Sequence, residues 1–185
     1  FVQPGEGQAL RLGVTEGGLH AAEGLVLARY FMFTQVYFHK TRVAYDHHLK
    51  QAMLTILPNG QFPTLEGDGL LEYLKWDDWR VLGTLAAGEG GEHGERLAYR
   101  NHFREIHHTP EIPTPDDLRR FEEIRHNLGE MARAVGNAGK SWYKLENDQD
   151  IPIQSDNANR EIRPLSEHSS AVKGLQPTGR RMLYC

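Results

Sequence analysis

Arg29, Tyr37 and Lys40 are the residues whose types and spacing point most directly to chemistry. They lie in or beside Leu25–Phe38, 14 residues that are apolar nearly all the way round and read as a helix buried on most faces. At about 100° per residue, Arg29, Phe33, Val36, Tyr37, Lys40 and His47 share one stripe. Arg29 and Lys40 are then about 16 Å apart, with the Tyr37 hydroxyl between them. Two cations flanking a phenol suit a polyphosphate, because both positive groups donate to anionic oxygens. A guanidinium inside an apolar helix needs an anion. A core carboxylate would serve as well, leaving Tyr37 only to pack. His39 falls away from that stripe, among Gln35, Arg42, Asp46 and Lys50. That is a solvated polar face, so a ligand at His39 is a different one from any at Arg29.

The ten histidines raise the question of a metal. His47-His48 and His107-His108 are adjacent pairs whose side chains diverge on a helix or a strand, and His93 and His102 are nine apart. No His-Glu-x-x-His occurs, so no metal site is expected within this chain. There is no Gly-x-Ser-x-Gly elbow, no Gly-x-Gly-x-x-Gly and no Walker-type loop. Gly88–Gly94 reads as a flexible loop. Asp77/Asp78 and Asp116/Asp117 stand at helix starts as caps, and Trp76 and Trp79 read as core anchors. No catalytic residue is expected in this chain.

The elements that must position these residues are mostly helical. Residues 9–14 suit a short strand. From Glu16 to Pro58 no proline interrupts a helical pattern, and a rod of some 60 Å calls for one bend or break. Pro58-Asn59-Gly60 is strong turn chemistry. Short helices are expected at Asp68–Leu74, from Asp77 or Asp78, and at Glu95–His102. Phe103–Ile106 reads as extended, and Pro110, Pro113 and Pro115 as a stiff linker and the one boundary. Beyond it an amphipathic helix runs to about Val135, with strands at Trp142–Leu145 and Arg181–Tyr184 and a polar surface loop over Asp148–Ser170. The fold class is a mostly α body, residues 1–110, with a small α/β appendage, residues 111–185.

Composition narrows the function classes. The 185 residues make one domain, or one with an appendage, and carry a net charge of −4. That disfavours nucleic-acid binding through bulk charge. No apolar stretch is long enough for a membrane span, and a single cysteine, Cys185, fits a reducing, cytoplasmic compartment. The opening Phe1-Val2-Gln3-Pro4 has no signal-peptide character and reads as part of something longer.

Leu25–Thr41, with Gly18–Glu23 before it and Leu74–Trp79 after it, resembles the long helix and neighbouring segments of HD-superfamily phosphohydrolases. Within them it is closest to the SAM-and-HD-domain dNTP triphosphohydrolases and their bacterial relatives. The resemblance covers residues 9–110 well and the tail loosely. It implies an HD-type metal-dependent phosphohydrolase acting on nucleotides, with residues 1–110 as the C-terminal part of the helical domain. Arg29 matches a contact to the substrate's terminal phosphate, and Tyr37 lines the same pocket. His39 and Lys40 match a pair that contacts an allosteric nucleotide at a subunit interface, and the helical stripe also lets Lys40 serve the substrate. The family's divalent ion (iron, manganese or magnesium) is held by a His…His-Asp…Asp set and activates water for attack on phosphorus. No His-Asp dipeptide occurs here. The resemblance therefore implies that those ligands lie in a missing N-terminal HD half, on the same polypeptide or a separate subunit, and that the isolated chain is inactive. The implied partners are that half, a nucleotide and further copies in a homo-oligomer. The rival reading is a non-catalytic helical module for nucleotide sensing or assembly.

Overall fold

Thr34 sets the first departure from a continuous rod. Its hydroxyl donates to the carbonyls of Tyr30 and Phe31, both at 3.3 Å, offering the backbone a competitor to the helical ladder. The structure is a computed structural model that describes residues 2–4, 10–139 and 150–185. In it α1 (Leu19–Met32) widens into one π-helical turn, Phe33–Tyr37, closed by the Phe38 amide donating to the Phe33 carbonyl. The chain turns out of helix at His39 and restarts as α2 (Lys40–Ile56). The expected break is thus at Phe38–His39, after the crowded aromatic and β-branched run.

The chain divides into two compact units. The first comprises residues 1–38 and 138–180. In it β1 (Val2–Pro4) pairs antiparallel with β2 (Leu10–Leu12). The second sheet joins β3 (Val14–Thr15), parallel, to β6 (Pro152–Gln154), and β6, antiparallel, to β7 (Ile162–Pro164). Ala22 and Val26 of α1 share a core with Ile153, Leu165 and Val172, the last two on the short helices α7 (Leu165–His168) and α8 (Ser170–Lys173). Asp148–Ser170 is therefore no plain surface loop in its described part. Asp150 is buried, its carbonyl accepting from Arg11 at 2.7 Å and its carboxylate from the Ser166 amide at 3.3 Å. Only Val26 of the Leu25–Phe38 stretch is buried, while Leu25 is 65% exposed. α1 meets its core on one side alone, which corrects the expectation of burial on most faces.

The second unit comprises residues 39–137 and 181–185, so the proline-rich segment 110–115 falls inside it. Its helices are α2, α3 (Gly69–Leu74), α4 (Asp78–Ala86), α5 (Gly91–Ala98) and α6 (Pro115–Leu128). Strand β8 (Arg180–Tyr184) lies between β4 (Glu105–His108) and β5 (Ala134–Ala138). Several ends are written locally. Asp77 Oδ1 accepts the Arg80 amide at 2.8 Å to cap α4, and Thr114 with Asp117 forms a reciprocal capping box at α6. Gly129, at φ 53°, stops α6 well before Val135, which lies in β5 instead. Trp79 is exposed on α4 and anchors no core; the Arg80 guanidinium covers Trp76 at 4.0 Å. The strand expected at Trp142–Leu145 lies outside the described residues.

The glycine cluster is a joint, not a linker. Gly90 sits at φ 92°, and a Cβ there would come within 2.9 Å of Leu85. Gly94 is buried on α5, and a Cβ on it would run into the Glu89 carbonyl. Across from it α2 presents Ala44, His48 and Ala52, four residues apart and all buried. Small residues on both helices allow their close approach. The mostly α class with small sheets therefore holds, and no described helix is long and apolar enough to cross a membrane.

Gly94→Ala is expected to destabilise the protein by about 1–3 kcal/mol through overpacking. Gly83→Ala, in the interior of α4 with nothing within 4 Å of its added Cβ, should stabilise by roughly 1 kcal/mol. Urea unfolding of the two variants checks the contrast.

Candidate functional site

His48 is the polar residue around which the second unit is built, being fully buried at the α2–α5 contact. The Phe103 amide donates to its Nε2 at 3.1 Å, so a neutral His48 carries its proton on Nδ1. That Nδ1 lies 2.7 Å from His93 Nδ1. His48 donates, His93 accepts, and the His93 proton is on Nε2. The Phe103 ring lies against His48 with centroids 4.4 Å apart, and His47 flanks His93 at 5.4 Å.

Cations surround this stack. The Arg96 guanidinium lies over the Phe103 ring at 4.7 Å and that of Arg133 at 5.5 Å. Arg96 and Arg133 both approach Glu92 Oε1, at 3.0 and 3.7 Å. Burial, then the charges of His93, His47, Arg96 and His102, push His48 down to about 4. Burial first, with His93 and Lys50, also lowers His47. The neutral state demanded by the hydrogen bonds is therefore the one the surroundings favour.

A ligand atom from each of His47, His48 and His93 lies within 4.8 Å of the others, so by spacing this trio could hold a metal ion. Its hydrogen bonds point elsewhere. Coordination through His48 Nδ1 would move the proton to Nε2, facing the Phe103 N–H, and would break a buried bond. As arranged, the trio is an imidazole relay and does not offer three available lone pairs. Sequence reading did not group these three, because the adjacent His47 and His48 diverge and His93 is 45 residues from His48. The usable signal was His48 between Ala44 and Ala52 on α2, opposite Gly90 and Gly94.

The residues singled out from sequence fall in two groups. Arg29 and Tyr37 meet on one aromatic platform: the Arg29 guanidinium is 5.1 Å from the Phe33 ring and the Tyr37 ring 5.0 Å from it. Arg29 is exposed rather than buried in the core. His39 caps α2, its Nδ1 accepting the Thr41 amide at 3.3 Å, and Lys40 is exposed beside it. The Lys40 carbonyl accepts from the Tyr184 hydroxyl at 3.0 Å. The break at Phe38–His39 ends the helical phase on which the shared stripe rested, and the two groups belong to different units.

Residues 7–183 match the family model of the HD associated region. The chain belongs to this family. The match ties it to the HD superfamily. Two crystal structures share its fold. A hypothetical protein from Aquifex aeolicus is 23% identical with a TM-score of 0.72, the match covering 99% of this chain and 45% of that one. A phosphohydrolase from Bacteroides thetaiotaomicron is 18% identical with a TM-score of 0.60, covering 98% and 53%. This HD-associated region thus spans about half the length of either protein. No curated protein matches it.

Protonating His48 must undo the stack, whereas the unfolded chain takes up the same proton near the ordinary histidine value of 6.5. Stability should therefore fall as pH drops from about 6.5 towards 4, by on the order of 3 kcal/mol at most, with His47 acting in the same direction. His48→Gln keeps an acceptor for Phe103 and should flatten the dependence. Urea midpoints across that window decide, and an unchanged slope in the variant would exclude His48 as its source.

Proposed function

We propose that this HD-associated region forms part of an HD-type metal-dependent phosphohydrolase acting on nucleotides, with dNTP triphosphohydrolysis as its reaction. The observation that carries the reading is the family match over residues 7–183. The phosphohydrolase among its structural neighbours supports it. In this reading Arg29 donates to the terminal phosphate and Tyr37 lines the same pocket, from their shared position on the Phe33 ring. Lys40 contacts the substrate or, with His39, a nucleotide at a subunit interface. His39 suits that role because its Nδ1 is engaged as an acceptor, which leaves an Nε2–H to donate to an anionic oxygen. The apolar residues left exposed on α1, Leu25 and Phe31 among them, would be covered by an HD portion on the same polypeptide or a separate subunit. The divalent metal is held, in this reading, by that portion, in keeping with the commitment of His48 to Phe103.

The test uses the polypeptide completed by its HD portion, with dGTP as nucleotide. Arg29→Ala should weaken dGTP binding by roughly 2–4 kcal/mol, the scale of a charge-assisted pair in a desolvated pocket. Tyr37→Phe should cost about 1 kcal/mol. Without nucleotide, Arg29→Ala should cost no more than about 1 kcal/mol, the scale of exposed charge contacts. Residues 1–185 alone should release no triphosphate. Equal dGTP-induced shifts in melting temperature for wild type and Arg29→Ala would remove Arg29 from the phosphate site. Binding without hydrolysis by the completed polypeptide would make it a sensing module instead.

A further inference from the structure

Residues 61–80, which lead from α2 into α4, have hardly any interior: only Pro63, Gly69 and Trp76 are half-buried and all the others are exposed. The segment holds its shape through itself. The Phe62 ring meets those of Tyr73 and Trp76 at centroid distances of 5.5 and 6.5 Å. A Cβ on Gly69, the first residue of α3, would run into the Thr64 carbonyl, so α3 folds back closely on its own lead-in. Much of what the segment exposes is apolar. Leu71 and Leu74, three apart on α3, are both 63% exposed, Leu65 is 65% exposed and Trp79, in the first turn of α4, is 83% exposed. Large apolar side chains gathered in this way mark a contact surface, and tryptophan is the type most enriched at the centres of such surfaces.

The charge on the segment says what kind of partner fits. It carries five carboxylates against two cations. Both cations are spent on one carboxylate. Lys75 pairs with Glu72, and Arg80, whose guanidinium covers Trp76, adds its charge there. Asp77 uses one oxygen to cap α4. Among the described residues Glu66, Asp68 and Asp78 form no ion pair, and all three are exposed. The surface is therefore apolar and acidic together. A second copy in a two-fold contact would set this patch against itself, carboxylate to carboxylate. Nucleic acid and an anionic lipid surface meet the same repulsion. A segment that carries leucine-like side chains beside lysine or arginine satisfies both components. Its apolar groups cover Leu65, Leu71, Leu74 and Trp79, while its cations meet Glu66, Asp68 and Asp78.

We infer that residues 61–80 form a docking surface for a basic amphipathic segment of a partner protein. The inference does not rest on the proposed reaction, since none of these residues is assigned to the nucleotide or to the covering of α1.

Fluorescence anisotropy with the polypeptide that carries its HD portion tests it. The probe is a labelled amphipathic peptide of leucine and lysine, about 18 residues or five helical turns long. The controls replace its lysines by glutamate or its leucines by serine. The leucine–lysine peptide should bind, and both controls should bind at least roughly tenfold more weakly. Leu71→Ser with Leu74→Ser removes apolar surface, and Glu66→Gln, Asp68→Asn and Asp78→Asn together remove charge. Each set should raise the dissociation constant roughly tenfold or more, and only the second should flatten its rise with salt. All five positions are exposed, and a thermal transition verifies each fold; Leu71→Gln alone or Asp68→Asn alone replaces a set that lacks one. Absence of binding overturns the inference, as does equal binding of either control or binding untouched by both sets. Three other occupants would overturn it too: a second copy, seen as sedimentation that depends on concentration and on Leu71 and Leu74; phosphatidylserine vesicles bound through the same leucines; or the HD portion, seen as slow amide exchange over residues 61–80 before any peptide is added.

Discussion

One neutral histidine with both ring nitrogens engaged holds the second unit together. His48 is fully buried between α2 and α5, and it accepts from Phe103, 55 residues away, while donating to His93, 45 residues away. A histidine at such a site is tolerable only when neutral and satisfied on both sides, because an unpaired buried polar group costs about 1–3 kcal/mol. The rest of the unit follows from that demand. Ala44 and Ala52 leave room beside it, and Gly90 and Gly94 let α5 come near. Phe103 must be held with its amide pointing at Nε2, and the strand that follows is tied there by reciprocal Arg104–Cys185 backbone bonds of 2.9 and 3.0 Å.

The charges around this centre act in the same sense. Arg96 and Arg133 lie over the Phe103 ring and share Glu92, and the positive field of Arg96 bears on His48. That field and the burial both oppose protonation, which keeps the tautomers fixed. A cluster that looks like a metal site by distance is thereby occupied with its own hydrogen bonds. Ligand counting alone would have missed this, since the decisive atom is the amide hydrogen of a phenylalanine.

Among the apolar surfaces left open on the described residues, those on α1 and α4 differ in kind. On α1 the exposed side chains belong to a helix whose other side already meets the core of the first unit. On α4 a tryptophan projects next to Asp78, a carboxylate with no ion pair among the described residues. The first suits a broad covering layer and the second a partner of opposite charge. A chain that spans about half the length of its structural neighbours has room for both kinds of contact.

Features settled by neighbours a few residues apart were legible in the sequence. Asp77 caps α4, and Asn59 and Gly60 turn the chain at φ 54° and 70°. β8 and the mostly helical class were likewise readable. Each depends on local backbone preference, side-chain capping or periodicity, which the sequence displays directly. The glycine cluster, the buried Asp150 and the exposed Trp79 were misread, because burial depends on what arrives from elsewhere in the chain. The single stripe from Arg29 to Lys40 failed for a smaller reason: Thr34 back-bonding and one π turn were enough to lose its phase. By itself the sequence determined the helical character, the punctuation and the inventory of chemical groups. Only the tertiary structure decided that His47, His48 and His93 would meet, because packing two helices through alanine and glycine brings together residues that local rules cannot relate.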